Sequence, residues 1–554
     1  MSDELYPKNN LNNIQREDEE RVAQQRAEAY RMTYANLSMT PIQEEAMMLF
    51  KEEKAREANI AIIYKKGESI KVALQDPKDP KTKEALDELK KTYRNISLVV
   101  VSHSSLEEVW EKYPKNTSGK AADITGSVSI DPSTLERFKS KLKEINDINI
   151  LLSDIEDINA SHAFEVLISA ALAFDATDIH IEPQRGKTDI RLKIDGMLYE
   201  VATINEHLYK LILSRIKLLS SLKLNVHDEP QEGRFSILFE EREIEARISI
   251  IPSEYNEDIA LRVLDPKFLL SLSELGLRPD LEKELKNQLQ QPQGFLLITG
   301  ATGSGKTTTL YAGLRFLQER ELKVITIEDP IEYHLPGITQ TQVNPHKEYT
   351  FETGLRAILR QDPDIVLLSE LRTLESADAA MQAALAGRLV MSTLHTIDAA
   401  GTAPRLTDLG GDPSTIASAL SASVAQRLVR RLCGECKQGK TITDEEYELF
   451  QKILKDLPEK IPHSPLTPDA TIHTPSPGGC VECRHTGYKG RIAIVEIVVA
   501  TKKIKEKIME NPSEEEIRQL AKEEGMTNLK QDAVIRILEG TTSYKEVERV
   551  LGTL

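Results

Sequence analysis

The sequence predicts an α/β protein whose C-terminal half is built around a parallel sheet. Residues 294–314, GFLLITGATGSGKTTTLYAGL, combine a short apolar β-prone run, a glycine-rich loop and a helical segment. Two later apolar runs, in ELKVITIEDP and DIVLLSE, each end in acidic residues. Upstream, segments such as DIRLKIDGMLYEV and REIEARISIIP alternate as half-exposed strands do. These observations predict a parallel sheet preceded by an α+β domain that bears arginines.

Length and charge limit the possible classes of protein. A chain of 554 residues should form about three or four domains. With 71 basic and 88 acidic residues, its net charge is -17, which disfavours wrapping nucleic acid or binding anionic lipid. No segment approaches the ~18 apolar residues of a membrane span, and MSDELYPKNN has no signal-peptide core. We therefore expect a cytoplasmic protein that reaches the membrane only through partners.

The N-terminal part divides into three segments. Residues 1–36 are polar and predict a flexible arm. Residues 37–113 have the pattern of a small α/β domain, with two strands around a Lys-Gly turn, a helix and a third strand. Nothing in this domain suggests catalysis, so it is either a docking domain or a structural appendage. Residues 114–147 contain KNTSGKAADITGS and a charged helical run, which predict a linker.

Residues 148–270 predict a second domain, with strands separated by turns and one helix from Glu206 to Ser220. Its arginines stand on or beside strands, immediately upstream of the glycine-rich loop. A guanidinium keeps its charge and binds phosphate in a fork, so these side chains are candidates to close over a triphosphate. Surface ion pairing is the alternative. The candidates are Arg191, Arg234, Arg247 and Arg262.

The glycine-rich loop has the complete spacing G-x-x-x-x-G-K-T. Its glycines let consecutive backbone N–H groups turn toward phosphate oxygens at a helix N-terminus. Lys306 adds a full charge for the outer phosphates, and Thr307 offers a hydroxyl to Mg2+. The agreement between motif and context favours ATP binding over a plain turn. The predicted nucleotide-binding residues are Gly300, Ala301, Thr302, Gly303, Ser304, Gly305, Lys306, Thr307 and Thr308.

Polar residues follow three later apolar runs. Glu328 ends the run in VITIEDPIEY, Glu370 follows DIVLLS, and His395 follows RLVMSTL. The carboxyl ends of parallel strands share one edge of a sheet, where ligands bind. Glu370 is placed as a Walker B carboxylate, with Glu328 as the second candidate base. A single histidine is more often structural, but its position beside these carboxylates favours a functional His395.

The four cysteines form two C-x-x-C pairs, Cys433 with Cys436 and Cys480 with Cys483, separated by 43 residues. Two such pairs can present four thiolates to one tetrahedral Zn2+ and leave no open coordination position. This gap is longer than the spacing common in zinc ribbons. The residues between the two pairs would therefore form an insertion held by the metal site, at about 433–491. Four free thiols or a redox pair remain the alternative.

The order of these motifs resembles the hexameric ATPases of type II secretion and type IV pilus assembly. The resemblance runs from about Leu37 to the C-terminus and implies a RecA-like motor domain at 271–554. Its specific segments are GATGSGKTTTLYAGL, TIEDPIEY, PDIVLLSELRTLESA, GRLVMSTLHTIDAA, ATDIHIEP, RLKIDG, IPSEYNEDIALRVL and CRHTGYKGRIAIVEI.

The resemblance also implies roles for individual residues. It makes Glu370 the water-activating carboxylate and His395 a contact of the γ-phosphate. The arginines it implies to face phosphate are Arg234, Arg247 and Arg262, whereas Arg191 is equally suited to a subunit interface. Five positions depart from the family pattern and leave the turnover rate open: Glu232, Asn256, Ser369, Thr373 and Arg388.

The family's retraction branch generally lacks both the cysteine pairs and the extra N-terminal domain. The resemblance therefore implies an assembly motor, a homo-hexamer that acts through an inner-membrane platform protein. We expect it to power assembly of a type IV pilus. The alternative within the family is a type II secretion ATPase. Two further alternatives are a nucleic-acid translocase, which the acidic charge disfavours, and a nucleotide-gated scaffold without hydrolysis, suggested by Ser369 and Thr373.

Overall fold

The chain divides into two compact units, residues 1–121 and 122–554. Most of the predicted linker 114–147 lies outside the residues that the computed structural model describes. Among the described residues, none of the helices combines the length and the apolar run needed to cross a bilayer. The described residues are 8–37, 44–47, 49–50, 52–66, 69–93, 95–110, 126–130, 147–153, 160–239, 242–344 and 347–554.

The first unit is built on a four-stranded mixed sheet in the order β1-β4-β3-β2. Apolar side chains of the sheet and its helices share one buried core. The predicted succession of two strands, a helix and a strand is confirmed. The strands are β1 (Thr33–Tyr34), β2 (Ile60–Lys66), β3 (Ser69–Leu74) and β4 (Asn95–Val100). The helices are Lys8–Tyr30, Glu44–Met47, Glu52–Glu57, Pro80–Thr92 and His103–Trp110.

The segment predicted to be a flexible arm contains the helix Lys8–Tyr30, which packs within the first unit. Ala23 and Ala27, four residues apart and both buried, form its small apolar face. Glu20 accepts hydrogen bonds from Ser102 (2.7 Å) and from two other hydroxyl groups. The low overall hydropathy of the segment concealed this narrow contact face.

The second unit begins with a seven-stranded sheet in the order β5-β9-β10-β11-β6-β7-β8. Its first strand lies within the predicted linker and pairs in parallel with β9. The predicted helix from Glu206 is confirmed and ends at Leu219. The strands are β5 (Ser127–Ile130), β6 (Asp178–Gln184), β7 (Lys187–Ile194), β8 (Met197–Ile204), β9 (Gln231–Phe239), β10 (Arg242–Pro252) and β11 (Glu257–Leu264). The helices are Asp147–Ser153, Ala160–Ala173 and Glu206–Leu219.

The C-terminal sheet has seven strands in the order β14-β13-β15-β16-β12-β17-β20. Six of them run parallel, and β20 is antiparallel to β17. A separate antiparallel pair, β18 (Gln438–Thr441) and β19 (Thr471–Thr474), lies in the cysteine insertion. The strands of the large sheet are β12 (Gly294–Thr299), β13 (Val324–Glu328), β14 (Thr339–Gln342), β15 (Ile365–Leu368), β16 (Leu389–Leu394), β17 (Leu420–Leu432) and β20 (Tyr488–Val499).

Helices cover both faces of this sheet, which is why its strands are continuously apolar. Within β12, Phe295 and Leu297 belong to one buried cluster, whereas Leu296 and Ile298 belong to another. The helices are Pro279–Leu289, Lys306–Gln318, Phe351–Leu359, Leu374–Leu385, Thr402–Asp408, Pro413–Ala419, Asp444–Leu454, Lys502–Met509, Glu514–Glu523, Leu529–Leu538 and Tyr544–Leu551. Short 3-10 helices span Pro266–Phe268 and Val481–Cys483.

Candidate functional site

The glycine-rich loop joins the carboxyl end of β12 to the helix Lys306–Gln318. Gly300, Gly303 and Gly305 have φ values of 147°, 76° and 89°, which side-chain-bearing residues rarely adopt. A Cβ at Gly300 would also lie 2.6 Å from the carbonyl oxygen of Gln426. The loop therefore needs glycine both for its backbone conformation and for close packing, as a phosphate cradle does.

Lys306 opens the helix behind this loop. Its Nζ donates to the carbonyl oxygens of Gly300 (2.7 Å) and Ala301 (3.2 Å), so the charge lies along the loop. Burial lowers the pKa of Lys306, and the nearby Glu370 carboxylate opposes that shift. Thr307, the next residue, is exposed at the first turn of the helix. Its hydroxyl could therefore contact Mg2+ carried by a nucleotide.

Two residues of β17, which sequence reasoning missed, hold the backbone around the site: Gln426 contacts the loop, and Arg427 contacts the segment after β16. Gln426 donates to the carbonyl oxygen of Ser304 (2.6 Å) and accepts from the hydroxyl of Thr309 (2.8 Å). Arg427 donates to the carbonyl oxygen of Ile397 (2.6 Å). The available signal was a glutamine between the apolar residues of SASVAQRLV, and the structure buries its side chain.

The structure brings Glu370 and His395 together at the carboxyl edge of the sheet. Nε2 of His395 lies 3.1 Å from Oε1 of Glu370. The other carboxylate oxygen of Glu370 accepts from Arg372 at 3.1 Å. β15, which precedes Glu370, is next to β16, which ends just before His395. This geometry leaves a partly exposed carboxylate close enough to Lys306 to influence its pKa.

Glu328 has different surroundings, although it ends the neighbouring strand β13. Its side chain is buried and accepts hydrogen bonds from Tyr311, from Thr326 (2.5 Å) and from Gln340 (3.1 Å). Burial, followed by the charge of Glu328, raises the pKa of Tyr311. In this conformation Glu328 supports the packing of the helix Lys306–Gln318 against the sheet.

Three of the predicted arginines form a row across adjacent antiparallel strands. Arg247 is directly opposite both Arg234 of β9 and Arg262 of β11. Directly opposed side chains share one face, with Cβ atoms about 4.5–5.5 Å apart. Three like charges at this spacing repel one another. The face therefore suits an anionic ligand with several charges.

The members of this row have different partners. Arg234 is exposed. Arg262 pairs with Asp178 at 3.0 Å. Arg247 pairs with Glu332 at 3.0 Å and donates to the carbonyl oxygen of Ile331 at 2.5 Å. Because residues 331 and 332 follow β13, Arg247 connects the arginine-bearing sheet to the nucleotide-binding sheet.

Arg191 lies outside the row. It is on β7, where it forms an ion pair with Glu182 of β6. The strand order puts β6 between β7 and the strand that carries Arg262. A phosphate contact and a subunit interface both stay predictions for Arg191.

Two of the departures from the family pattern have local structural roles. Thr373 caps the helix Leu374–Leu385 in a reciprocal arrangement with Ser376. Arg388 pairs with Asp362 at 3.3 Å and contacts none of the loop residues named above. Nothing in the structure explains Asn256 or Glu232.

The four cysteine sulfur atoms lie within 4.8 Å of one another. The Sγ distances are 3.7 Å for Cys433 to Cys480, 3.7 Å for Cys436 to Cys483 and 3.8 Å for Cys480 to Cys483. Tetrahedral Zn–S bonds of ~2.3 Å imply edges of about 3.8 Å, so the arrangement fits zinc. Burial alone would raise the pKa of Cys483, but N–H donors of Cys480 and Gly487 lower it to about 7. Cys483 is therefore suited to bind a metal as a thiolate, whereas burial raises the pKa of Cys433 and Cys436.

The cluster is connected to the arginine-bearing sheet. Arg484, which follows the fourth cysteine, donates to the carbonyl oxygens of Ala173 (2.8 Å) and Phe174. Its guanidinium group lies 5.0 Å from the centre of the Phe174 ring. These carbonyl groups belong to the C-terminal end of the helix Ala160–Ala173, where a cation is favoured.

Comparison with known families accounts for these motifs together. A model described as "Type II/IV secretion system protein" matches residues 156–549, and one described as "MshEN domain" matches residues 30–119. The chain belongs to the type II/IV secretion system protein family. It is therefore an ATP-hydrolysing enzyme, and the predicted family is confirmed.

Two curated relatives and one solved structure illustrate the similarity. The chain is 36% identical to a putative type II secretion system protein E from Escherichia coli, over 89% of this chain and 95% of the relative. It is 36% identical to the type II secretion system ATPase E of Vibrio cholerae, over 85% and 90%. The ATPase DotB of Yersinia pseudotuberculosis superposes with a TM-score of 0.51 at 21% identity, covering 71% of this chain and 94% of that chain. This last similarity supports the RecA-like fold.

Proposed function

We propose that this ATPase powers a type II secretion machine. The sequence alone favoured type IV pilus assembly, but both curated relatives are named for type II secretion and align with nearly their whole length. From membership of this family we also propose that the chain works as a homo-hexamer on an inner-membrane platform protein, at the cytoplasmic side. The alternative that would replace this proposal is a role in type IV pilus assembly.

The pairing of Glu370 with His395 beside the phosphate loop carries the chemical part of the proposal. Glu370 orients the attacking water and takes its proton, while His395 holds the carboxylate in position and contacts the outer phosphate. Lys306 and the loop N–H groups stabilise negative charge on the phosphates. A bound Mg2+ would supply charge neutralisation between phosphate oxygens, with Thr307 as its protein ligand.

The arginine row supplies the closing step. Arg234, Arg247 and Arg262 present three cations on one face of the second sheet. When that face closes on ATP, the triphosphate competes with Asp178, Glu245 and Glu332 for the guanidinium groups and offsets their remaining repulsion. Hydrolysis and release of phosphate remove part of this attraction. One domain can then move relative to the other, which is how the cycle would perform mechanical work.

We also propose one structural Zn2+ per chain at Cys433, Cys436, Cys480 and Cys483. The tetrahedral spacing of the sulfur atoms supports it. Elemental analysis of the purified protein should find about one zinc per chain. A folded preparation without zinc and with four freely reactive thiols would contradict this site.

The experiment for the biological role replaces the chromosomal gene with a Lys306→Ala variant, which should fold but not hydrolyse ATP. Secreted proteins in the culture medium and pilin on the cell surface are then measured in parallel. Loss of secretion with normal surface pilin supports type II secretion. Loss of surface pilin with normal secretion would replace it by pilus assembly. As a matched control, Lys286→Ala changes a lysine of an outer helix that pairs with Glu282.

A further inference from the structure

The segment His395–Gly401 carries the histidine at its first position and follows β16. Side chains from elsewhere in the chain fix its backbone. The N–H of Thr396 donates to the hydroxyl of Thr299 at 2.8 Å. The carbonyl oxygen of Ile397 accepts from Arg427 at 2.6 Å. The position of His395 therefore depends on how this whole segment is held.

Glu496 of β20 provides a third anchor. Its side chain is buried, and Oε1 accepts from the N–H of Ala399 at 2.7 Å. Its other oxygen accepts from the N–H of Leu529 at 3.0 Å. Leu529 is the first residue of the helix Leu529–Leu538, where N–H groups lack helical partners and a negative charge is favoured. One carboxylate thus joins the histidine segment to a C-terminal helix.

A second C-terminal helix holds the same segment through Asp398. One oxygen of Asp398 accepts from Nη2 (2.6 Å) and Nε (3.1 Å) of Arg518, in the helix Glu514–Glu523. Its other oxygen accepts from the N–H of Gly401 at 2.9 Å. The carboxylate therefore links the end of the segment to Arg518 while also shaping its turn.

We propose that Glu496 and Arg518 are positioning residues for ATP hydrolysis, which fix the segment His395–Gly401 so that His395 meets Glu370. The inference rests on the role proposed above for His395. Neither residue contacts the phosphate loop in the structure. Each acts through the segment, and together they connect two C-terminal helices to the position of His395.

These anchors should affect the rate because phosphoryl transfer requires accurately positioned catalytic groups. A displacement of about 1 Å in a catalytic group can lower the rate by about 10²-fold. The bond between His395 and Glu370 is 3.1 Å long, and the side chain of His395 is half exposed. Packing around the ring contributes little to its position, so the backbone anchors should decide it.

The surroundings of Glu496 also predict how kcat should depend on pH. Burial, followed by the charge of Asp398, raises the pKa of Glu496 to about 7, against the N–H donors of Ala399 and Leu529. The ionised form accepts both N–H groups. As pH falls below about 7, protonation removes one of these acceptors, so kcat should fall. The charged groups of the elements around it are Asp398, Arg427, Glu514 and Arg518.

The test compares Glu496→Gln with Asp532→Asn in the full-length protein. Asp532 is buried in the helix Leu529–Leu538, whose first N–H group Glu496 accepts. Its carboxylate accepts from the N–H of Val495 and has no hydrogen bond to the histidine segment. Glu496→Gln should lower kcat about 10- to 100-fold with little change in KM for ATP, and should remove the fall in kcat below pH 7. Asp532→Asn should lower the melting temperature and keep the parent kcat. Equal kcat values for Glu496→Gln and the parent would overturn the proposal.

A double-mutant cycle separates this inference from the role of His395. His395→Asn should be slow, and adding Glu496→Gln to it should cause no further loss, because both act through one contact. If His395→Asn keeps the parent rate, the proposed role of His395 fails. If His395→Asn is slow and the two losses multiply, the positioning role of Glu496 fails while that of His395 stands.

Arg518→Gln provides the same test if Glu496→Gln does not fold, since Arg518 is 39% exposed. Its matched control is Lys522→Gln on the same helix, whose exposed partner is Asp456. Arg518→Gln should reduce kcat at least fivefold with an unchanged KM, and Lys522→Gln should reduce neither. The same kcat in both variants would overturn the role of Arg518.

Discussion

Glu328 and Glu370 come at the ends of neighbouring parallel strands, yet their surroundings differ. Glu328 is buried and accepts from three side chains. Glu370 is partly exposed and contacts His395 and Arg372. A carboxylate saturated by fixed donors is stable but has little remaining capacity for a substrate. The carboxyl edge of a sheet thus supplies several acidic residues, and unused acceptor capacity is the reason we propose Glu370 and not Glu328 as the reactive one.

The largest effect that this comparison predicts is at Glu370. Replacing its carboxylate by an amide removes the base but preserves the shape of the side chain. Glu370→Gln should lower the rate of phosphate release by about 10²–10⁴-fold, while nucleotide affinity stays near that of the parent. Steady-state phosphate release and fluorescent-nucleotide titration measure the two quantities. Equal rates for the variant and the parent would transfer the role of base to another residue, with Glu328 the first to test.

The arginine row extends the comparison to cations. Arg262 and Arg247 have carboxylate partners, whereas Arg234 is exposed. Replacing any one of the three by alanine should lower turnover by about 10²-fold and change ATP affinity much less, because phosphate charge develops during transfer. The measurement is kcat against the dissociation constant of ATP. If all three variants keep the turnover of the parent, these arginines only form ion pairs at the surface.

A matched substitution at Glu328 should have mainly a structural effect. Glu328→Gln keeps the size of the side chain but weakens the charge-assisted bonds from Tyr311 and Thr326. We expect a loss of about 1–3 kcal/mol in the free energy of unfolding. The turnover of the folded fraction should stay within about tenfold of the parent, well above that of Glu370→Gln. Chemical denaturation and active-site titration separate these quantities. A larger loss of turnover than at Glu370 would reverse the comparison.

Much of this site was predictable because it lies in short, local patterns. The loop Gly300–Thr307 and the polar residues at strand ends follow from spacing and apolar runs. The arginines were identified one by one. Their alignment in a row depends on the pairing of β9, β10 and β11, and long-range register is not written in any single segment.

The residues that sequence reasoning missed are polar side chains within apolar strands far along the chain. Gln426 and Arg427 come from β17, and Glu496 from β20, more than 100 residues after the phosphate loop. Their roles arise only when β17 joins the sheet beside β12 and β20 pairs with β17. The isolated glutamate of RIAIVEIVV was a usable signal, because a buried charge in a strand needs specific partners. The packed helix Lys8–Tyr30 was missed because its contact face is only a few small residues wide.

The smallest predicted effect is at Ser369, beside the proposed base Glu370. The family pattern has glycine here, but Ser369 does not adopt the left-handed backbone that would require glycine. Its N–H donates to the carbonyl oxygen of Ile327 at 3.0 Å, and its carbonyl oxygen accepts from the hydroxyl of Thr393 at 2.7 Å. These backbone contacts would survive a Ser369→Gly substitution, which removes the hydroxymethyl group next to Glu370.

We therefore expect slow but measurable hydrolysis in the parent, and an equal or moderately higher rate in Ser369→Gly. The free energy of unfolding should fall by about 0.5–1 kcal/mol, because glycine increases the freedom of the unfolded chain. Ser369→Ala is the matched control, since it removes the hydroxyl but not the Cβ. If both variants gain rate, the hydroxyl group restrains the water. If only Ser369→Gly gains rate, the Cβ of Ser369 crowds the water. A large loss of rate in both variants would show that the Ser369 hydroxyl itself takes part in positioning the water at Glu370.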